Sequence, residues 1–214
     1  MRIKVCGNTA LDTTMMAVAE GADMVGFIMA TGTPRTLTVD QARAIVRELP
    51  PTVDAVGVFV DRPIAEVEEV AGEVGFTVVQ LHGAETWAES ADLPMPVIKA
   101  VRLGSEITAA RVGSPPVAWP PGGLLLADAH APGRAGGTGR TFPWEWAADL
   151  GLRYRLLLSG GLSGDNVGDA VRQVRPWGVD ASSRLESSPG VKDPDRVRRY
   201  IRVARRAEEG VGVA

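Results

Sequence analysis

The 214-residue sequence predicts an α/β fold, a single (β/α)8 barrel with eight parallel strands. Short β-rich runs alternate with longer amphipathic segments along the whole chain, which favours parallel strands joined by right-handed crossovers. The runs number eight, whereas Rossmann and flavodoxin-like folds use about five or six strands. Each unit averages roughly 27 residues, close to the minimum for a closed barrel of this type.

The predicted strands are apolar, rich in β-branched residues, and followed by Gly or polar residues. They cover residues 3–6, 24–28, 55–60, 77–81, 97–101, 124–127, 155–158 and 178–181. Helical spacing predicts helices at 11–20, 39–49, 64–74, 166–174 and 193–208. Thr38 and Gln41 have the spacing of a capping box, and Pro63 and Pro194 stand where a first helical turn accepts proline. The same rhythm resumes after the proline-rich stretch 113–123, so we expect one domain over residues 1–214.

The composition excludes several classes of protein. Hydrophobic residues make up 45% and charged residues 23%, which is typical of globular chains and not of disordered ones. The net charge of −3 leaves no basic surface for nucleic acid, and no apolar run approaches the ~18 residues of a membrane span. Cys6 is the only cysteine and no secretory leader is visible, so we expect a cytoplasmic protein without disulfides.

In barrels of this type the reactive groups lie at the C-terminal ends of the strands. Cys6 follows the first predicted strand, Arg35 lies in the loop after the second, His82 follows the fourth, and Asp128 follows the sixth. These side chains are therefore expected to face one another around a single mouth.

The seventh and eighth strands end in segments suited to an anion. Gly160 and Gly161 follow the seventh strand and Ser182 and Ser183 the eighth, where such barrels hold phosphate through backbone N–H groups. The structural alternative is two tight strand-to-helix turns. We predict a phosphorylated small-molecule substrate.

Cys6 and Asp128 form the candidate acid and base pair. A lone cysteine is often only a small buried apolar residue, but at the mouth a neighbouring cation such as Lys4 is expected to lower the thiol pKa and give a thiolate. Asp128 would supply the acid. His82 is expected either to form a hydrogen bond with the substrate or to pack in the structure. His130 is expected to lie in a solvated loop. Neither histidine has the spacing of a metal site, so no metal is predicted.

The chain resembles the phosphoribosylanthranilate isomerase family from one end to the other. Any one matching segment is weak, but their order along the chain is specific. The segments are Lys4-Val5-Cys6-Gly7-Asn8-Thr9, Gly21-Ala22-Asp23-Met24-Val25-Gly26-Phe27, Thr33-Pro34-Arg35, Val56-Gly57-Val58-Phe59-Val60, Val79-Gln80-Leu81-His82-Gly83, Ile98-Lys99-Ala100-Val101, Gly136-Gly137-Thr138-Gly139-Arg140-Thr141-Phe142, Leu158-Ser159-Gly160-Gly161-Leu162 and Val179-Asp180-Ala181-Ser182-Ser183.

The resemblance implies a cofactor-independent Amadori rearrangement of N-(5'-phosphoribosyl)anthranilate in tryptophan biosynthesis. It implies that Asp128 is the general acid that opens the ribose ring and that Cys6, as thiolate, removes the C2′ proton. Arg35 would face the anthranilate carboxylate, and His82 and Asp180 would contact the substrate. A loop containing Gly136, Gly137 and Gly139 would close over it. We expect a monomer or a homodimer.

Two other functions are open. The loop at residues 29–34 has few bulky side chains, which suggests an isomerase for a related aminoaldose phosphate with a different aromatic or imidazole group. Arg184 stands where the family usually has glycine, and the loop after Asp128 carries an extra residue, which suggests a barrel that binds a phosphosugar without converting it.

Overall fold

The computed structural model describes residues 1–103, 124–129 and 144–211, and the eight strands in these ranges form a closed parallel barrel. The strands are β1 (Arg2–Val5), β2 (Met24–Ile28), β3 (Asp54–Phe59), β4 (Val78–Leu81), β5 (Val97–Leu103), β6 (Leu124–Ala129), β7 (Leu156–Leu158) and β8 (Gly178–Ala181). Neighbours in sequence are neighbours in the barrel, and β1 pairs with β8 to close it, with Arg2 opposite Gly178. The predicted barrel is confirmed. One domain over residues 1–214 stays a prediction.

Helices cover the outside of the barrel. They are α1 (Leu11–Ala19), α2 (Val39–Val46), α3 (Ile64–Val74), α4 (Trp87–Ser90), α5 (Trp144–Gly151), α6 (Val167–Val174) and α7 (Pro194–Val211). The capping box is present: Thr38 Oγ1 accepts from the Gln41 N–H at 3.2 Å, and Gln41 accepts from the Thr38 N–H at 2.9 Å. Pro63 directly precedes α3, and Pro194 begins α7. Within the described ranges, no helix is both long and apolar enough to cross a membrane.

The interior of the barrel changes from apolar to polar along the strands. Near their N-terminal ends it is filled by Met24, Val56, Val78, Ile98, Ala100, Leu124, Leu126 and Leu157. Because alternate residues of a strand share a face, Asp128 continues the face of Leu124 and Leu126, and Gln80 continues that of Val78. Both polar side chains are almost completely buried. The strand period therefore places polar groups at the C-terminal mouth.

A small hairpin follows β8 and was not predicted from the sequence. After one 3-10 turn (Ser183–Leu185), β9 (Glu186–Ser188) pairs antiparallel with β10 (Val191–Lys192). Pro189 and Gly190 connect the two, and Gly190 has φ +86°, a backbone conformation that glycine adopts without strain. The hairpin buries the charged side chains of Glu186 and Lys192 close to the mouth.

Candidate active site

A cleft of about 900 Å³ opens at the C-terminal ends of the strands. The structure brings nine of the predicted site residues to its wall: Cys6, Arg35, His82, Asp128, Gly160, Gly161, Asp180, Ser182 and Ser183. Arg184 also lines the cleft. Gly136, Gly137, Gly139 and His130 lie outside the described residues. Among the described residues, no three His, Cys, Asp or Glu side chains are grouped to hold a metal ion.

The chain turns sharply just after Cys6. The Cys6 N–H still donates to the Ala181 carbonyl at 2.9 Å, which continues the pairing of β1 with β8. The buried amide of Asn8 then donates to the carbonyls of Val5 at 2.8 Å and Gly26 at 3.2 Å. These bonds hold Cys6 at the rim of the barrel, where its side chain contributes to the cleft and keeps 5% of its surface exposed.

Gly26 makes room for the sulfur of Cys6. A Cβ atom at position 26 would lie 2.7 Å from the Sγ of Cys6, closer than real Cβ contacts, and 3.2 Å from the Cα of Cys6, which is tighter than most of them. Gly26 is on β2, beside β1 in the barrel. The absence of a side chain at position 26 thus sets the position of the thiol.

The pKa of the Cys6 thiol is raised above its ordinary value, so the predicted net lowering of this pKa by neighbouring cations is wrong. Burial is the largest cause, because it disfavours the thiolate, and the charge of Asp180 adds to it. The positive charges of Lys4 and Lys192 act in the opposite direction without compensating for burial. Lys4 is itself paired with Asp180, with 3.0 Å between Nζ and Oδ1, so part of its charge is neutralised.

Asp128 is held by a short chain of hydrogen bonds across the mouth. His82 Nε2 lies 3.2 Å from Asp128 Oδ2, and His82 Nδ1 lies 2.7 Å from Gln80 Nε2. If the Gln80 amide donates to Nδ1, then Nδ1 is the acceptor and the neutral ring carries its proton on Nε2. The Nε2–H group then donates to Asp128. From the sequence, His82 was predicted either to contact the substrate or to pack in the structure. The structure adds a third role, the orientation of Asp128.

The loop that carries His82 is fixed by a buried ion pair. Lys99 on β5 donates to Glu85 Oε2 at 2.8 Å and to the Gly83 carbonyl at 2.9 Å. Glu85 also accepts from the backbone N–H groups of Gly83 at 2.8 Å and Asp61 at 2.7 Å. Lys99 and Glu85 were not predicted as part of the site, and they restrain the segment that positions Asp128.

The ends of β7 and β8 present backbone and hydroxyl groups to the cleft. Gly160 and Gly161 have φ values of +90° and +69°, which L side chains rarely adopt. The buried Ser182 Oγ has no hydrogen-bond partner among the described residues. A buried hydroxyl without a partner is costly, and an anion in the cleft would satisfy it. The predicted phosphate contacts of these residues stay a prediction that this geometry supports.

Arg35 is engaged by a carboxylate of the chain itself. Its Nε and Nη2 donate to the two oxygens of Glu186, both at 2.7 Å. Lys192 Nζ donates to the same Glu186 at 2.8 Å. Burial alone would raise the pKa of Glu186, but the Arg35 hydrogen bonds and the Lys192 charge outweigh it and lower that pKa. Glu186 occupies the edge of the guanidinium that carries Nε. The predicted contact of Arg35 with a substrate carboxylate would therefore use the other edge.

Comparison with known proteins agrees with this architecture. The family model described as N-(5'-phosphoribosyl)anthranilate (PRA) isomerase matches residues 3–203. The isomerase of that name from Pelobacter propionicus is 40% identical over 205 residues, which cover 96% of each chain. The chain belongs to the N-(5'-phosphoribosyl)anthranilate isomerase family.

Two solved structures of phosphoribosylanthranilate isomerases show how closely the fold is shared. Monomers generated from the dimeric enzyme of Thermotoga maritima give a TM-score of 0.83 at 34% identity, over 96% of this chain and 98% of theirs. A second isomerase, in complex with reduced 1-(o-carboxyphenylamino)-1-deoxyribulose 5-phosphate, gives 0.80 at 33% identity with the same coverage. The family resemblance stated from the sequence is confirmed.

Gly26→Ala is expected to destabilise this member of the isomerase family by about 1–3 kcal/mol, the usual cost of overpacking. The added methyl would collide with the Cys6 sulfur. The matched control is Gly72→Ala in α3, where a Cβ meets nothing within 4 Å and alanine is expected to add about 0.5–1 kcal/mol. Urea unfolding measures both free energies. A Gly26→Ala protein as stable as the wild type would show that this close approach is not needed.

Proposed function

We propose that this cleft converts N-(5'-phosphoribosyl)anthranilate into 1-(2-carboxyphenylamino)-1-deoxyribulose 5-phosphate, a step of tryptophan biosynthesis. The observation that carries the proposal is that the Cys6 thiol and the Asp128 carboxyl line one cleft. Each has a partner that orients it: Gly26 leaves space for the sulfur, and His82 holds one oxygen of Asp128. An acid and a base on one mouth are what an aldose-to-ketose isomerisation requires.

Asp128 performs the first step. As the carboxylic acid it donates a proton to the ribose ring oxygen, and the bond between that oxygen and C1′ breaks. The lone pair of the anthranilate nitrogen forms the C1′=N bond of a protonated Schiff base. His82 bonded to Oδ2 keeps the carboxyl directed across the mouth while the proton moves.

Cys6 performs the second step. As the thiolate it removes the proton from C2′, and the electron pair of that C–H bond forms the C1′=C2′ bond of an enolamine. The C1′=N pair returns to nitrogen and cancels its positive charge. Transfer of the enol proton to C1′ then gives the ketone, the thiol returns its proton to solvent, and the Asp128 carboxylate takes up a proton from solvent. The two groups thus act at neighbouring atoms of one bound sugar.

The remaining cleft residues bind the two anionic ends of the substrate. The backbone at Gly160 and Gly161 and the hydroxyls of Ser182 and Ser183 hold the phosphate. Arg35 meets the anthranilate carboxylate with the edge that Glu186 does not use, since a guanidinium has five N–H donors and Glu186 accepts from Nε and Nη2. Asp180 lies in the wall of the cleft, where its carboxylate accepts hydrogen bonds from Lys4 and, at 3.3 Å, from the Ser159 hydroxyl.

Turnover is tested with the purified chain and N-(5'-phosphoribosyl)anthranilate, followed by the loss of substrate fluorescence. We expect catalysis without any added cofactor. A panel of aminoaldose phosphates is the comparison: preference for an imidazole-bearing amine would assign the chain to that substrate instead. Tight binding of the reduced product analogue by calorimetry, with no turnover, would make it a phosphosugar-binding barrel.

The expected partner is one phosphorylated small molecule. We propose a monomer or a homodimer, and light scattering of the purified chain at several concentrations decides between them. The proposed cytoplasmic location is supported by the Cys6 thiol, because a catalytic cysteine has to stay reduced.

A further inference from the structure

Three charged side chains, one partly and two almost completely buried, form a cluster between the hairpin and the mouth. Both Arg35 and Lys192 donate to Glu186, at 2.7 and 2.8 Å, and the Gly190 N–H donates to it at 3.2 Å. The side chain of Arg35 is 15% exposed, and those of Glu186 and Lys192 are 2% and 1% exposed. Two cations thus share one carboxylate, so the cluster has one positive charge in excess.

The cluster borders the segment that carries the Cys6 thiol. Gly7 directly follows Cys6, and a Cβ at Gly7 would lie 2.8 Å from Arg35 Cδ and 3.5 Å from Lys192 Nζ. Lys192 Nζ also donates to the Ser182 carbonyl at 3.3 Å. The excess charge therefore lies between Cys6 and the end of β8.

Five charged side chains near Cys6 carry a net positive charge that an ionised thiol would cancel. They are Lys4 from β1, Asp180 from β8, Arg35 from the loop after β2, Glu186 from β9 and Lys192 from β10, with Asp128, His82 and Arg184 elsewhere on the cleft wall. The first five contribute three positive and two negative charges, a sum of +1 that a thiolate brings to zero. A buried charge without a partner is unfavourable, so such a site favours one more anion.

The titration of Lys192 agrees with this balance. Burial lowers the pKa of its ammonium and the positive charge of Arg35 lowers it further, while Glu186 and an ionised Cys6 each raise it. The effect is reciprocal, because the Lys192 charge lowers the pKa of the thiol. Ionisation of the two side chains is therefore coupled.

We propose that Lys192 is a positioning residue for proton abstraction, whose ammonium acts beside that of Lys4 as a counter-charge of the Cys6 thiolate. It acts through the thiol and through Glu186, and needs no contact with the substrate. This inference rests on the proposed role of Cys6 as the base. The ionisation of the thiol is nevertheless measurable without turnover.

The test uses Cys6 as its own probe, since it is the only cysteine of the chain. The rate of alkylation by iodoacetamide, followed by mass spectrometry over a range of pH, reports the thiolate fraction. Lys192→Met is expected to slow alkylation about tenfold at a fixed pH below the thiol pKa, which corresponds to about one pKa unit. Lys192→Arg, which keeps the charge, is expected to restore most of the rate.

A substitution of opposite sign separates charge from structural damage. Glu186→Gln increases the excess from one positive charge to two, so it is expected to speed alkylation at the same pH. The matched control is Lys99→Met, which removes an equally buried lysine that pairs with Glu85 at 2.8 Å and has no part in the electrostatics of Cys6. It is expected to change the alkylation rate less than about twofold.

Kinetics complete the test. Lys192→Met is expected to lower kcat with a smaller change in KM and to move the pH profile of kcat in the direction of the alkylation profile. The proposal is overturned if Lys192→Met leaves the alkylation rate unchanged or if Glu186→Gln slows alkylation. It is also overturned if Lys192→Met raises KM alone, because that result would assign Lys192 to phosphate binding. If the alkylation profile shifts as expected but Cys6→Ser keeps full activity, Lys192 is a counter-charge of the Cys6 thiolate, but Cys6 is not the base.

Discussion

Cys6→Ser is expected to lower kcat for N-(5'-phosphoribosyl)anthranilate by about 10²- to 10⁴-fold, the usual contribution of a general base. A serine hydroxyl has nearly the volume of the thiol but does not ionise in the working range of pH, so the base is lost while the packing against Gly26 is kept. Loss of substrate fluorescence under saturating conditions measures the change. A variant with wild-type kcat would remove Cys6 from the mechanism.

The pH profile of the wild type is the control for that result. Burial raises the pKa of the Cys6 thiol, and only the thiolate accepts the proton. The thiolate fraction increases as the pH rises, so kcat/KM is expected to increase with pH up to the thiol pKa. Cys6→Ser should lose this limb and still bind the reduced product analogue. A wild-type profile that is flat over the same range would contradict an ionising base.

The barrel was predictable because its strands follow a simple pattern. Strands covered by helices outside and by core inside are apolar on both faces, so each appears as a short continuous run, as in Leu124–Ala129 before Asp128 interrupts it. The β9–β10 hairpin has no such pattern. It is short and polar, and what orders it is the burial of Glu186 and Lys192 against Arg35, which is distant in sequence.

The position of the candidate site was also predictable, whereas its electrostatics were not. Strand order and alternation are enough to place Cys6 and Asp128 at one mouth. The charged groups around them pair with residues distant in sequence: Lys4 pairs with Asp180, 176 residues away, and Arg35 pairs with Glu186, 151 residues away. Residue type alone therefore indicated a thiol beside a lysine, and only the structure shows that burial outweighs that charge.

Asp128→Asn is expected to lower kcat by a similar factor, about 10²- to 10⁴-fold, because an amide has no acidic proton to give to the ring oxygen. The amide oxygen still accepts from His82, so the hydrogen-bond chain from Gln80 and the fold are expected to persist. Substrate fluorescence gives kcat, and calorimetry with the reduced product analogue is expected to show affinity close to that of the wild type. Lost binding would make Asp128 a binding residue instead.

A substrate deuterated at C2′ separates the two roles, because only the second step breaks that bond. In Cys6→Ser, proton abstraction limits turnover, and a full primary isotope effect on kcat is expected. In Asp128→Asn, ring opening becomes limiting, and the isotope effect is expected to fall towards one. The same large effect in both variants would place Asp128 at the abstraction step and leave ring opening to another group. The division of labour between a buried thiol and a carboxyl held by His82 is thus open to a direct kinetic test.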